Sequence, residues 1–129
     1  MKKSTIAIRA GAILAVLSML FCLCACGTQE VQQGEKNITV TVVYEDKTQK
    51  EFEITTDAEN LGDALYEQKL VTEEEHKTGF YNTIDGVRAD YTLDKAWWCF
   101  TKGGEMTTVG ANDLAIADGE VFEITHTPA

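Results

Sequence analysis

From Ile38 onward, apolar residues fall at every second position: Ile38, Val40, Val42 and Tyr44 lie on one side, Thr39, Thr41 and the odd Val43 on the other. A period of two sends alternate side chains to opposite faces, so this run predicts a half-buried strand. Glu45-Asp46-Lys47-Thr48 is a polar turn, after which Phe52 and Ile54 alternate with Glu51, Glu53 and Thr55. Together the two runs predict an antiparallel hairpin. The period then lengthens. Leu61, Ala64, Leu65 and Leu70 recur at spacings near three to four while Asp63, Glu67 and Lys69 point elsewhere, which predicts a helix of about ten to twelve residues. Thr56 with Glu59 and Asn60 with Asp63 both fit a capping box or its Asn/Asp variant, so the pattern leaves the helix start open. The segment from Thr72 to Thr78 (TEEEHKT) has no apolar residue and reads as a solvated connection. A third strand, Phe80 to Ile84, closes at the turn-forming pair Asp85-Gly86; a fourth, Ala96 to Lys102, is followed by Gly103-Gly104 and a return through Met106 to Val109. The last strand, Val121 to His126, is entered through Asp118-Gly119. Two strands, a helix, then three or more strands give an α+β class, and one helix packed on one face of a mixed sheet in this order is a β-grasp-like arrangement.

The segment ahead of these elements has another pattern. Lys2, Lys3 and Arg9 precede sixteen small or apolar residues, Ala10 to Ala25, and the chain turns polar after Cys26. A spanning helix needs about 20 apolar residues, so the run reads as a signal peptide over residues 1–25. Leu23-Cys24-Ala25-Cys26 resembles the bacterial lipobox, in which an aliphatic residue stands three before the lipidated cysteine and a small one just before it. The resemblance makes Cys26 the acylated N-terminus of the mature chain and places the protein on the outer side of the cytoplasmic membrane. Residues 26–36, polar and Gln-rich, read as a tether, and residues 37–129 as one domain.

Cleavage before Cys26 leaves 129 − 25 = 104 residues and takes the formal charge from −10 to −13 with the loss of Lys2, Lys3 and Arg9. Nucleic acid and anionic lipid are poor partners for such a chain. With Cys26 acylated, Cys99 is the one cysteine remaining; within Trp97 to Phe100 it reads as a small buried hydrophobe. No His-Glu-x-x-His, Gly-x-Ser-x-Gly, P-loop, CxxC or dinucleotide fingerprint is present. His76 falls in a loop and His126 on a terminal strand, where a lone histidine is expected to be exposed, and no base adjoins a nucleophile. The expectation is a protein that is not an enzyme and has no cofactor or metal of its own. Adjacent side chains in Glu73-Glu74-Glu75-His76 diverge too much for a metal site.

Gly79 to Val87 (GFYNTIDGV), Trp97-Trp98, the run WWCFTKGGE leading to Val109-Gly110-Ala111, and the closing Ala117 to Glu123 (ADGEVFE) occur in an order and spacing that resemble the transcobalamin-like C-terminal domain found in many small bacterial lipoproteins. The resemblance spans roughly Ile38 to Thr127. Lys102-Gly103-Gly104-Glu105 departs from it, standing where that family usually shows an Asn-Gly turn. In larger relatives this domain closes over cobalamin bound against a helical domain, for which 104 residues leave no room. The resemblance implies a module that binds a small soluble ligand, with cobalamin or another corrinoid as the leading candidate. It also implies ligand contacts from Trp97, Trp98 and Phe100 on the aromatic strand and from Phe80, Tyr81 and Asn82 ahead of the Asp-Gly turn.

The residues point to the same region independently. Alternation sets Trp97 and Cys99 on one face and Trp98 and Phe100 on the other, so the strand is apolar on both faces while one helix covers only one. The second tryptophan must pack under a loop, from 88–95 or 107–115, pair with another chain, or receive a flat ligand. Tyr81 and Tyr91 lie near in sequence, and Asn82 and Lys102 are candidates for directional polar contacts. Two functions remain. One is ligand capture with delivery to a membrane transporter; the other is a protein–protein interaction module using the aromatic face or a free strand edge.

Overall fold

The computed structural model describes residues 31–129; the expected signal peptide, Cys26 and the first part of the expected tether, to residue 30, lie outside the described residues. Strands β1 (Lys36–Val43), β2 (Gln49–Thr56), β5 (Ala96–Lys102), β6 (Glu105–Met106) and β7 (Val121–Pro128) form one mixed sheet in the order β2-β1-β7-β5-β6. β1 and β2 make the expected antiparallel hairpin, with Val40 opposite Phe52 and Ile38 opposite Ile54. β7 runs parallel to β1 and antiparallel to β5. A separate two-stranded sheet joins β3 (Thr83–Ile84) to β4 (Val87–Arg88). The class is α+β, mainly β.

Side-chain alternation explains which face is covered. Ile38, Val40 and Val42 of β1, Phe122 and Ile124 of β7, and Trp98 of β5 are at most 4% exposed and form one face of the core. Helix α1 (Leu61–Glu67) closes it with Leu61, Ala64 and Leu65. The opposite face, with Thr39, Thr41, Trp97, Cys99 and Thr125, stays half-buried. Cys99 is therefore not fully buried as expected, though partial burial still pushes its thiol pKa up. His126 corrects the expectation of exposure. Because β7 continues the alternation of Phe122 and Ile124, His126 points to the core face, is 9% exposed, and meets Trp98 edge-on at 5.2 Å between ring centroids.

The helical region differs most from the sequence pattern. Asn60 caps α1, accepting from the Asp63 N–H at 2.8 Å, which settles the start. The helix is only seven residues long. Lys69 takes a left-handed φ of 59°, and Lys69 N–H and Leu70 N–H donate back to the Tyr66 and Leu65 carbonyls. This Schellman-type ending turns Leu70 into the core instead of extending the helix. The expected connection at 72–78 contains a second helix, α2 (Glu73–Thr78), so two helices replace the one expected. Thr72 caps it by accepting from the Glu75 N–H, Glu73 to Glu75 fill the first turn, His76 and Lys77 lie in the last, and Gly79 closes it at φ 80°. None of its residues is buried, so caps and charges define it rather than apolar periodicity. His76 accordingly lies on a helix, not in a loop.

Two further boundaries move. Phe80, Tyr81 and Asn82 form no strand; only Thr83–Ile84 pairs, across a turn where Asp85 and Gly86 both have positive φ, as a two-residue hairpin turn requires. At the other end, Lys36 belongs to β1, not to the tether. Its side chain is fully buried, donating from Nζ to the Ala58 carbonyl at 2.7 Å and the Gly34 carbonyl at 3.0 Å. Gln32 also touches the domain, its side-chain oxygen accepting from the Asp118 N–H at 2.9 Å. Among the described residues no helix is long and apolar enough to cross a membrane.

Candidate functional site

At the edge of β5 a cavity of about 290 Å³ opens between three segments: Gly79–Tyr81 beyond α2, Trp97, Trp98 and Phe100 of β5, and the stretch from Met106 to Ala111. Its floor is rigid. Trp98 is 4% exposed, and its indole N–H donates to the Val87 carbonyl at 3.1 Å, so the β3–β4 hairpin holds the ring from above. Its rim is open, with Phe80 79% and Met106 63% exposed. Such area is large for isolated apolar side chains in water, and here the exposed pair borders one concavity.

Tyr81 forms a wall and is fixed from behind. Its ring lies 5.9 Å from that of Phe100, and its hydroxyl donates to the Asn112 side-chain oxygen. Asn112 Nδ2 in turn donates to the His76 carbonyl at 2.8 Å. Burial, reinforced by the negative charge of Asp63, pushes the Tyr81 pKa up to about 12. The residues just after it are held by Glu75, whose carboxylate accepts from the Asn82 N–H at 3.0 Å and the Thr83 N–H at 2.8 Å. Helix α2 thereby aims Phe80 and Tyr81 at β5 while burying none of its own residues.

Of the residues singled out from the sequence, Phe80, Tyr81, Trp97, Trp98 and Phe100 come together around this cavity. Trp97 belongs to the opposite face of β5 from Trp98, which places the cavity along the strand edge rather than over one face. Asn82, Tyr91 and Lys102 lie outside the lining. Asn82 spends its peptide groups on Glu75 and Ala89; Tyr91 stands 65% exposed on the 88–95 loop; Lys102 pairs with Glu120 at the β5–β6 turn. Met106, Thr107 and Val109 complete the lining without having been singled out. Asn112 carried no sequence signal, since its role depends on α1, α2 and Tyr81 meeting at one point.

His76 Nε2 lies 2.7 Å from Asp63 Oδ1, and its ring stacks on Tyr66 at 4.5 Å. This pair joins α1 to α2. Among the described residues no three His, Cys, Asp or Glu side chains come together as a metal site.

The fold, a mixed five-stranded sheet with two short helices, is transcobalamin-like, and it carries an aromatic cavity at its edge. The chain belongs to the family described as a domain of unknown function, DUF4430, whose model matches residues 58–127. A crystal structure from Ruminococcus gnavus ATCC 29149, described as a candidate metal binding protein, is similar at a TM-score of 0.66 and 42% identity, over 74% of this chain and 99% of that one. Haptocorrin, solved in complex with Cbi, is similar at a TM-score of 0.61 and 20% identity, over 83% of this chain and 28% of that one, a likeness of fold. No curated protein matches the chain.

Proposed function

We propose that this chain is a non-catalytic lipoprotein domain, anchored through Cys26 outside the cytoplasmic membrane, that captures a small soluble ligand in the aromatic cavity and passes it to a membrane transporter. A corrinoid is the leading ligand. The observation that carries the reading is the convergence of Phe80, Tyr81, Trp98 and Phe100 on a concavity whose floor is fixed and whose rim is exposed. Rigid aromatic surface, open to solvent at one end, is what recognition of a flat ligand requires. The likeness to haptocorrin, solved with Cbi, supports the same choice. Strand order β2-β1-β7-β5-β6, with β1 and β7 parallel at the centre, supports a β-grasp reading of the scaffold.

Size sharpens the reading. At about 290 Å³ the cavity sits at the lower bound of about 300–1,000 Å³ usual for ligand pockets, so it would grip one edge of a corrinoid and leave the remainder to solvent or to the transporter. The anchor favours such a transfer. With Gln32 bonded to the domain, four residues, 27–30, separate Cys26 from the described structure, a reach of at most about 18 Å from Cys26 to Val31. The absence of catalysis is part of the proposal.

The test is a titration of the mature chain, Cys26–Ala129 with Cys26→Ser, with cobinamide and cobalamin, following tryptophan emission corrected for corrinoid absorbance. Phe80→Ser and Met106→Ser are suitable controls because both side chains are exposed. Saturable quenching at micromolar corrinoid, weakened in both variants, is expected. No saturable change would overturn the corrinoid reading. A second reading, an interaction module, is favoured by β2, an eight-residue strand whose outer edge has no strand partner among the described residues. Partner-free monomers that bind corrinoid would exclude it.

A further inference from the structure

We propose that the cavity recognises an uncharged, amide-bearing apolar group, with the free peptide edge of Trp98 reading the amide. The inference rests on the ligand-binding reading of the same cavity and adds the chemistry that the cavity selects.

The lining contains no charged residue. Its polar side chains are mostly engaged elsewhere: Tyr81 Oη donates to Asn112, Trp98 Nε1 to the Val87 carbonyl, and Thr107 Oγ1 to the Phe100 carbonyl at 3.4 Å. No charged side chain in the lining would compensate a ligand charge, and burying a charge without a counter-charge is costly. The surroundings are negative, with Asp63 and Glu75 acting on Tyr81 and a formal charge of −10 on the whole chain. An anion is disfavoured twice, by desolvation and by repulsion.

The positive element comes from strand parity. In an antiparallel ladder a residue's N–H and C=O point to the same side, and successive residues alternate. Lys102 pairs with Glu105 of β6 across the two-residue Gly103-Gly104 turn, and the Phe100 carbonyl accepts from the Thr107 N–H at 3.3 Å. The even-numbered residues of β5 therefore face away from β7. β6 ends after Met106, so the next even position, Trp98, presents its peptide N–H and C=O on that side with no partner among the described residues. Trp98 is 4% exposed and lines the cavity. A sheltered donor and acceptor are rarely left unpaired in a folded protein. A carboxamide offers the complementary acceptor and donor in one plane.

The test uses three probes on one ring system: naphthalene-2-carboxamide, its methyl ester analogue and naphthalene-2-carboxylate. Each is titrated into the ¹⁵N-labelled mature Cys26→Ser chain, with amide resonances followed by NMR. The carboxamide is expected to shift the Trp98 peptide resonance and to bind about tenfold or more tightly than the carboxylate, with the ester, which accepts but cannot donate, in between. Carboxylate binding as tight as that of the amide, an immobile Trp98 peptide resonance, or no saturable carboxamide binding would overturn the inference. Cobinamide is titrated in parallel to separate the two claims. If cobinamide shifts the lining and the carboxamide does not, this inference falls and ligand capture stands. If the carboxamide binds and cobinamide does not, the corrinoid reading falls and the selectivity stands.

Discussion

Gly62 sits inside α1, where glycine costs about 1 kcal/mol relative to alanine, and the reason for it lies in what stands opposite. A Cβ there would fall 2.8 Å from Tyr81 Oη and closer still to the Asn112 side-chain oxygen. Both atoms are tied, Asn112 to the His76 carbonyl and Tyr81 to Asn112, so neither can step aside cheaply. Gly62→Ala should therefore lower stability by about 1–3 kcal/mol despite the better helix propensity. In a domain of this size that corresponds to a Tm lower by at least about 4 °C. An unchanged or raised Tm would show that the Tyr81 mount is loose. Tyr81 and Tyr44 also define a pH response. Tyr44 Oη donates to Asp85 Oδ2 at 2.6 Å; burial first, then that hydrogen bond and its charge, push its pKa up to about 12, and Tyr81 reaches about 12 as well. A pKa raised by folding stabilises the folded state fully below the unfolded value near 10, and the stabilisation is lost as pH rises from about 10 to about 12. Urea unfolding across that range should show falling stability, with the slope reduced in Tyr44→Phe. At this scale the sequence was informative about aromatic residues and silent about Asn112, Met106 and Gly62, whose roles arise only where separate segments meet.

At the scale of elements, α2 shows why hydrophobic periodicity alone misses a helix. TEEEHKT buries nothing, so no period exists to detect; the signal was Thr72 three residues before Glu75, acids first, His76 and Lys77 last, and Gly79 after. Glu75 then works across elements, holding the Asn82 and Thr83 N–H groups and so placing Phe80 and Tyr81. Glu75→Ala should leave both donors unpaired, lower stability by about 1–3 kcal/mol, and speed amide exchange at Asn82 and Thr83 before it does so in β1. Equal exchange in mutant and wild type would mean that the 80–82 segment is held by other contacts. β1, β2 and β7 were legible because each alternates, and β5 because a short continuous apolar run, Ala96 to Phe100, is bounded by turn residues. The strand expected over Phe80 to Ile84 was not, because a run of apolar and aromatic residues also suits an extended segment that packs on β5 without pairing.

For the whole molecule, strand order and charge set the character of the site. The central pair β1–β7 is covered by α1 on one face, while β5 lies next to the short β6, and that mismatch in strand length opens the edge where the cavity sits. Class and approximate order were readable from the sequence. The cavity itself was not, because it depends on β6 stopping after two residues and on the 107–111 segment folding back beside β5. Where a ligand sits is thus the central question. Isothermal titration calorimetry of residues 26–129 with Cys26→Ser, titrated with cobinamide and compared with the same chain carrying Phe80→Ser, tests it most directly. The account predicts one site, a micromolar Kd, and a loss of about tenfold in the variant, with its Tm unchanged because Phe80 is 79% exposed. No binding heat, or equal affinity in the two proteins, would contradict it.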